Sequence, residues 1–274
     1  MTHERFSELG DLYQHIGRCI AHLVVFDNGD VISEGTGFAF SADGCLMTAA
    51  HVVAGGFPVK KGEVDQASRT IIAFFVNQGR QILYKPAICP VQIDGSGLDK
   101  PLQLDVAVLM PTEKPQSDLS FLTTSIEPPK LGDAMYFGGY SDEVEMPFLV
   151  DRSLSPRTEG LDVYHRAIAT GIKARMAGPI IKHGMVGNVV EGRGSREGNL
   201  VIKQTAFYLD NQVHYGASGG PIVGRDGVAR GVISKRMVTT ANGTEVPAGS
   251  TLGLGFDWML ALPQAQQPRA PVPG

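Results

Sequence analysis

Glycine and proline recur too often along this chain for long helices to form: they are 34 and 17 of its 274 residues. Glycine weakens a helix interior and proline breaks it, whereas both punctuate short strands well. Between these interruptions lie apolar runs of strand character. CIAHLVVF ends at the turn DNGD, GTGFAF alternates small and aromatic residues, and SADG turns into CLMTAAHVV. TIIAFFV (70–76), PAICPVQI (86–93) and DVAVLM (105–110) follow, and later DAMYFGGY, NLVIKQTAF, GPIVG, VARGVISKRMV and LGLGFDWML. The pattern is that of an all-β chain built from hairpins. One exception stands at the start: Phe6, Leu9, Tyr13 and Ile16 fall at helical spacing and predict a short amphipathic helix over 3–17, dented by Gly10.

Four prolines and little periodicity mark 111–130 as the break between two runs of strands. The organisation read from this is a helical segment over 1–16, a first β-barrel over 17–115, a linker over 116–130, a second barrel over 131–262 and a disordered proline-rich tail over 263–274. Residues 141–165 read as a long polar loop.

Composition excludes several functions. A formal net charge of −4 argues against a protein held on nucleic acid by a general attraction for phosphate. The three cysteines, Cys19, Cys45 and Cys89, form no C-x-x-C pair, which predicts neither a disulfide framework nor a zinc site and fits a reducing, cytoplasmic compartment. The first residues carry no apolar run of a secretory signal, and no apolar run is long enough to span a bilayer. HExxH is absent and no His/Cys cluster has ligand spacing, so no metal or organic cofactor is expected. The segment GRGSREG (192–198) lacks the strand–helix context of a phosphate cradle and reads as a hairpin loop.

The segment GASGGPIV (216–223) carries the chemistry. Gly216–Gly220 matches G-x-S-x-G, the nucleophile elbow of α/β-hydrolases, but that architecture needs its histidine after the serine. The seven histidines are His3, His15, His22, His51, His165, His183 and His214, and all precede Ser218. The order His…Asp…Ser stays open, with His51 in TAAHVV, Asp105 at the start of DVAVLM and Ser218 in GASGGP. A serine hydroxyl needs a base to take its proton as it attacks. Histidine suits that task at neutral pH, and a carboxylate behind it fixes the tautomer and stabilises the imidazolium.

The blocks TAAH, DVAVL and GASGGP, in this order, resemble the trypsin/chymotrypsin superfamily of serine peptidases, and most of all the protease domain of its HtrA/Deg branch. The resemblance runs from about residue 17 to about 260 and includes GTGFAFSADGCLMTAAHVV as the hairpin delivering His51. It implies two six-stranded antiparallel β-barrels with the cleft between them. It implies His51 as base, Asp105 as orienting acid and Ser218 as nucleophile of a peptide-bond hydrolase working through an acyl-enzyme. The N–H groups of Gly216 and Ser218 would form the oxyanion hole, with Gly219, Gly220 and Pro221 bending the chain away. Asp210 also matches the approach to the serine in the HtrA branch. Ser234 would support Asp105, and Ser234, Lys235 and Arg236 would pair with an extended substrate. Gln212 would lie near the base of the primary specificity pocket, where a neutral side chain gives no reason for a Lys or Arg preference, while Arg236 would favour an acidic substrate residue.

Departures from the family pattern also carry expectations. Ala217 stands where secreted zymogens have the aspartate that pairs with a newly cut N-terminus, so activation by such a cut is not expected. A valine follows His51 where secreted relatives have cysteine, and no PDZ-type domain is expected after the last strand. His214 is read as loop scaffolding, and His165 and His183 as ordinary surface or hydrogen-bonded residues. Expected partners are protein or peptide substrates and a regulatory protein, with neither nucleic acid nor membrane. The competing reading is a latent or inactive binding module on a protease fold, with its oxyanion hole collapsed.

Overall fold

The computed structural model describes residues 6–64, 68–93, 102–115, 118–141, 178–195 and 201–261. The tail, nearly all of the 141–165 loop, His3 and His165 lie outside them.

Helix α1 (Leu9–Cys19) is followed by β1 (Ile20–Asp27), β2 (Asp30–Ala39), β3 (Leu46–Thr48), the short helix α2 (Ala50–Ala54), β4 (Arg69–Phe75) and β5 (Arg80–Ile88). Next come β6 (Val91–Ile93), β7 (Leu102–Leu104) and β8 (Ala107–Pro111). β1-β2-β3-β8-β5-β4 close into one antiparallel barrel, and β6 pairs with β7 as a separate two-stranded sheet. The second half holds β9 (Ala134–Gly139), β10 (Ile180–Ser195), β11 (Val201–Leu209), β12 (Pro221–Gly224), β13 (Ala229–Ala241) and β14 (Thr244–Gly255). They close in the order β10-β11-β14-β13-β12-β9. The fold is therefore two closed six-stranded antiparallel barrels, as the resemblance implied, with one short N-terminal helix, as the apolar spacing predicted.

Strand alternation explains why nearly all of β1 is buried. Ala21, Leu23 and Val25 point into the first barrel beside Ile71, Phe75 and Leu109, while Ile20 belongs to a different cluster. That cluster joins Phe38 and Met47 of the first barrel to Tyr136, Val223, Val232 and Phe256 of the second, with Leu12 and Ile16 of α1. A third cluster, around Phe137, Phe207, Leu209 and Ile233, fills the second barrel. Interleaved apolar faces thus lock the barrels together and fix the crevice between them.

Two details differ from the sequence reading. The helix continues through Cys19 rather than giving way to strand there, because Asn77 Nδ2 and Gln78 Nε2 donate to the Gly17 and Arg18 carbonyls at 3.1 and 2.6 Å. These bonds satisfy carbonyls that a helix end leaves open. Its buried face is Leu12, Ile16 and Cys19, and Leu9 is half exposed. PAICPVQI is two strands, since Pro90 has no N–H to continue a ladder and the chain breaks between Ile88 and Val91.

Candidate active site

The first barrel supplies an imidazole and a carboxylate. β3 ends at Thr48, and His51 lies in the single turn of α2 that follows. Asp105 sits at the apex of a tight turn between β7 and β8, closed by the Val106 N–H on the Leu104 carbonyl at 2.7 Å. This turn aims the carboxylate at α2. Asp105 Oδ1 accepts the His51 backbone N–H at 3.0 Å, and His51 Nδ1 lies 2.9 Å from Oδ2 and 3.1 Å from Oδ1. An ionised carboxylate only accepts, so the proton of the neutral ring sits on Nδ1 and Nε2 is left with its lone pair. The Asp105 side chain is 12% exposed and that of His51 29%.

The second barrel reaches the same carboxylate. Ser234 interrupts the β13–β14 register at a bulge, and its hydroxyl donates to Asp105 Oδ2 at 2.6 Å. Bulges re-aim side chains in this way. Asp105 thus holds His51 at two points while Ser234 holds Asp105.

Ser218 stands between two turns. In the first, the Ala217 N–H donates to the His214 carbonyl at 3.3 Å and Gly216 has φ +85°, which makes it type II. In the second, the Gly220 N–H donates to the Ala217 carbonyl at 3.0 Å and Gly219 has φ +87°. A Cβ on Gly219 would come 2.1 Å from the Thr36 carbonyl and 2.2 Å from Thr48 Oγ1, so no other residue fits. The turn is bolted to its surroundings. The Gly219 N–H donates to the Ile233 carbonyl at 2.7 Å, and the Ser218 carbonyl accepts the Thr36 N–H at 2.9 Å. No described backbone acceptor takes the N–H of Gly216 or of Ser218.

The remaining predicted residues lie on strands of the second barrel and on the loop after β11. Gln212 Oε1 accepts the Gly249 N–H at 3.1 Å, tying the loop before the serine to β14, and its carbonyl accepts from Lys182 Nζ. Arg236 lays its guanidinium 3.4 Å from the centre of the Tyr215 ring, beside Gly216, while Lys235 is exposed. Asp210 Oδ1 accepts the Met185 N–H at 2.7 Å and so anchors the approach to the serine. His214 contributes the carbonyl that closes the first turn. The His183 carbonyl accepts from Asn211, and its ring lies 5.0 Å from that of Tyr136.

Sequence reasoning missed Thr36, Thr48, Lys182 and Tyr215. Thr36 and Thr48 were visible in GTGF and TAAH, but nothing local says that their polar groups reach the serine turn. A groove of about 1060 Å³ opens beside α2, lined by Phe57, Val59, Lys61, Ile88 and Leu102 among others. The three cysteines are free thiols, and among the described residues no group of three His, Cys, Asp or Glu side chains is placed to hold a metal ion. No helix among them is long and apolar enough to cross a membrane.

Residues 35–232, which span the His51, Asp105 and Ser218 blocks, match a sequence family described as the trypsin-like peptidase domain. The chain belongs to the trypsin-like peptidase family. No curated protein matches it. Among solved structures, this peptidase-family chain is similar to Rv3671c from M. tuberculosis H37Rv. A serine-to-alanine mutant of Rv3671c, described as an inactive form, superposes with a TM-score of 0.52 at 17% identity over 96% of this chain and 94% of that one. The Rv3671c protease in an inactive form gives 0.51 at 17% identity over 89% and 87%. At such identity the likeness is one of fold.

Proposed function

We propose that the chain is a serine endopeptidase with His51 as base, Asp105 as orienting acid and Ser218 as nucleophile. The arrangement of His51 carries the reading: with Nδ1–H engaged by a carboxylate that Ser234 also holds, Nε2 is the only ring nitrogen able to accept a proton. Ser218 Oγ attacks the substrate carbonyl carbon as its proton passes to Nε2. The carbonyl oxygen becomes an oxyanion that accepts the N–H groups of Gly216 and Ser218. The intermediate collapses to the Ser218 acyl ester as the imidazolium gives its proton to the departing amine. Water, activated by the same imidazole, then releases the acid and restores the serine.

The type II turn at Gly216 supports a formed oxyanion hole over a collapsed one. Type I and type II turns differ by a flip of the central peptide, here Tyr215–Gly216, which reverses the face on which the Gly216 N–H points. An extended substrate would pair with the backbone of residues 234–236. Gln212 gives the primary pocket a neutral residue, and Arg236, held over Tyr215, favours an acidic side chain beside it. Three free thiols suit a reducing, cytoplasmic setting, and membership of the peptidase family suits protein or peptide substrates; a regulatory protein is the further partner proposed.

The test is digestion of a proteome-derived peptide library by the native protein and by Ser218→Ala and His51→Ala. Cuts made by the native protein and by neither variant are expected, with Asp or Glu enriched near the cut. Equal cutting by the variants would overturn the assignment, and a flat profile would remove the role of Arg236.

A further inference from the structure

Thr36 of β2 is fully buried and is the meeting point of three segments. Its N–H donates to the Ser218 carbonyl at 2.9 Å, and its hydroxyl donates to the Gly216 carbonyl at 2.7 Å. The hydroxyl also accepts the Tyr140 N–H at 2.9 Å, which leaves its own proton for Gly216. The Thr36 carbonyl accepts the Thr48 hydroxyl at 2.6 Å, and Thr48 immediately precedes the AAH segment that carries His51.

The consequence lies in the peptide planes of the serine turn. The Gly216–Ala217 peptide is held at its oxygen by Thr36 Oγ1 and at its nitrogen by the His214 carbonyl. The Ser218–Gly219 peptide is held at its oxygen by the Thr36 N–H and at its nitrogen by the Ile233 carbonyl. The peptide between them, Ala217–Ser218, has its oxygen on the Gly220 N–H, which leaves the Ser218 N–H to point away. Thr36 thus fastens the planes on either side of the one that carries a proposed oxyanion donor. The first of these planes also adjoins the Gly216 N–H, the other proposed donor. Packing leaves the hydroxyl little freedom, since a Cβ on Gly139 would lie 2.4 Å from Thr36 Oγ1.

We propose that Thr36 is a positioning residue: its hydroxyl and N–H hold the Gly216 and Ser218 carbonyls and so keep the two oxyanion-hole N–H groups turned toward the substrate carbonyl. The proposal rests on the serine-peptidase reading above and adds a residue on the first barrel that sets the hole on the second. Because the hole acts on charge that develops during the reaction, losing its alignment lowers kcat and spares KM.

The experiment compares native protein, Thr36→Ser, Thr36→Val and Thr36→Ala for kcat and KM on a peptide substrate, for inhibition by a peptide aldehyde that forms a tetrahedral adduct, and for thermal stability. Thr36→Ser keeps the hydroxyl and is expected within about threefold of native. Thr36→Val is expected to lose about 10- to 100-fold in kcat with KM within about twofold, and aldehyde affinity should fall in parallel. Thr36→Ala removes the same hydroxyl with less crowding and reads the same quantities if the valine variant does not fold. Full kcat and aldehyde affinity in a folded variant lacking the hydroxyl would overturn the proposal. So would equal losses in Thr36→Ser and Thr36→Ala, or a rise in KM at constant kcat. A native protein that neither cuts peptide nor binds the aldehyde would overturn the peptidase reading itself and, with it, this role for Thr36.

Discussion

Replacing Gly216 by alanine sets two costs against each other. Alanine at φ +85° is strained by about 1–2 kcal/mol, which a flip of the Tyr215–Gly216 peptide would relieve. The flip removes one oxyanion donor, a loss of about 2.7–4 kcal/mol in the transition state. Retaining the strained turn is therefore the cheaper route through the reaction. The strain alone sets the loss, so kcat/KM is expected to fall by about 5- to 30-fold rather than by the full ~10²–10³-fold of a lost donor. In the resting protein the same numbers favour the flipped turn, so Gly216→Ala should bind substrate without being set for catalysis until the oxyanion forms. The assay is kcat/KM on a fluorogenic peptide, with thermal unfolding to show an intact fold. An unchanged kcat/KM would refute the placement of Gly216 in the hole. A loss of about 10²-fold or more in a folded variant would refute the argument that strain, not the donor, sets the loss.

Asp105→Asn should leave the fold intact and cut kcat by about 10⁴, because an amide cannot hold the same histidine tautomer; steady-state kinetics and circular dichroism read both. Ser234→Ala removes the 2.6 Å bond to Asp105 and should cost at most about 100-fold in kcat/KM, well short of Asp105→Asn. Gly219→Ala would place a methyl group 2.1 Å from the Thr36 carbonyl, so large destabilisation or loss of soluble expression is expected, read by thermal denaturation. Burial opposes the charge of Asp226, but hydrogen bonds from Arg230 and the Val228 N–H outweigh it and hold its pKa below the usual 3.8. Its contribution to stability is therefore full above that value and lost as pH falls through the lowered one; the difference between native and Asp226→Asn in urea unfolding should shrink below about pH 4.

The architecture was legible because strand, turn and apolar alternation agree along the chain: CIAHLVVF, DNGD and GTGFAF become β1, its turn and β2. Of the site, the blocks around His51, Asp105 and Ser218 stand out by their neighbours, and the structure brings His51, Asp105 and Ser234 into one hydrogen-bonded group. The exact ends of α1 were not, since the bonds that extend it come from Asn77 and Gln78, far along the chain. Thr36 was hidden for a related reason. A threonine between two glycines in a strand reads as ordinary β sequence, and its hold on Gly216 and Ser218 exists only once the barrels dock. Local pattern specifies elements, whereas long-range polar contacts depend on tertiary packing.

In the proposed mechanism His51 activates the Ser218 hydroxyl. Incubation with a fluorophosphonate and mass-spectrometric mapping of the adduct tests it most directly. A single covalent adduct on Ser218 is expected, strongly reduced in His51→Ala. No adduct on the folded native protein, or an adduct on another residue, would contradict it.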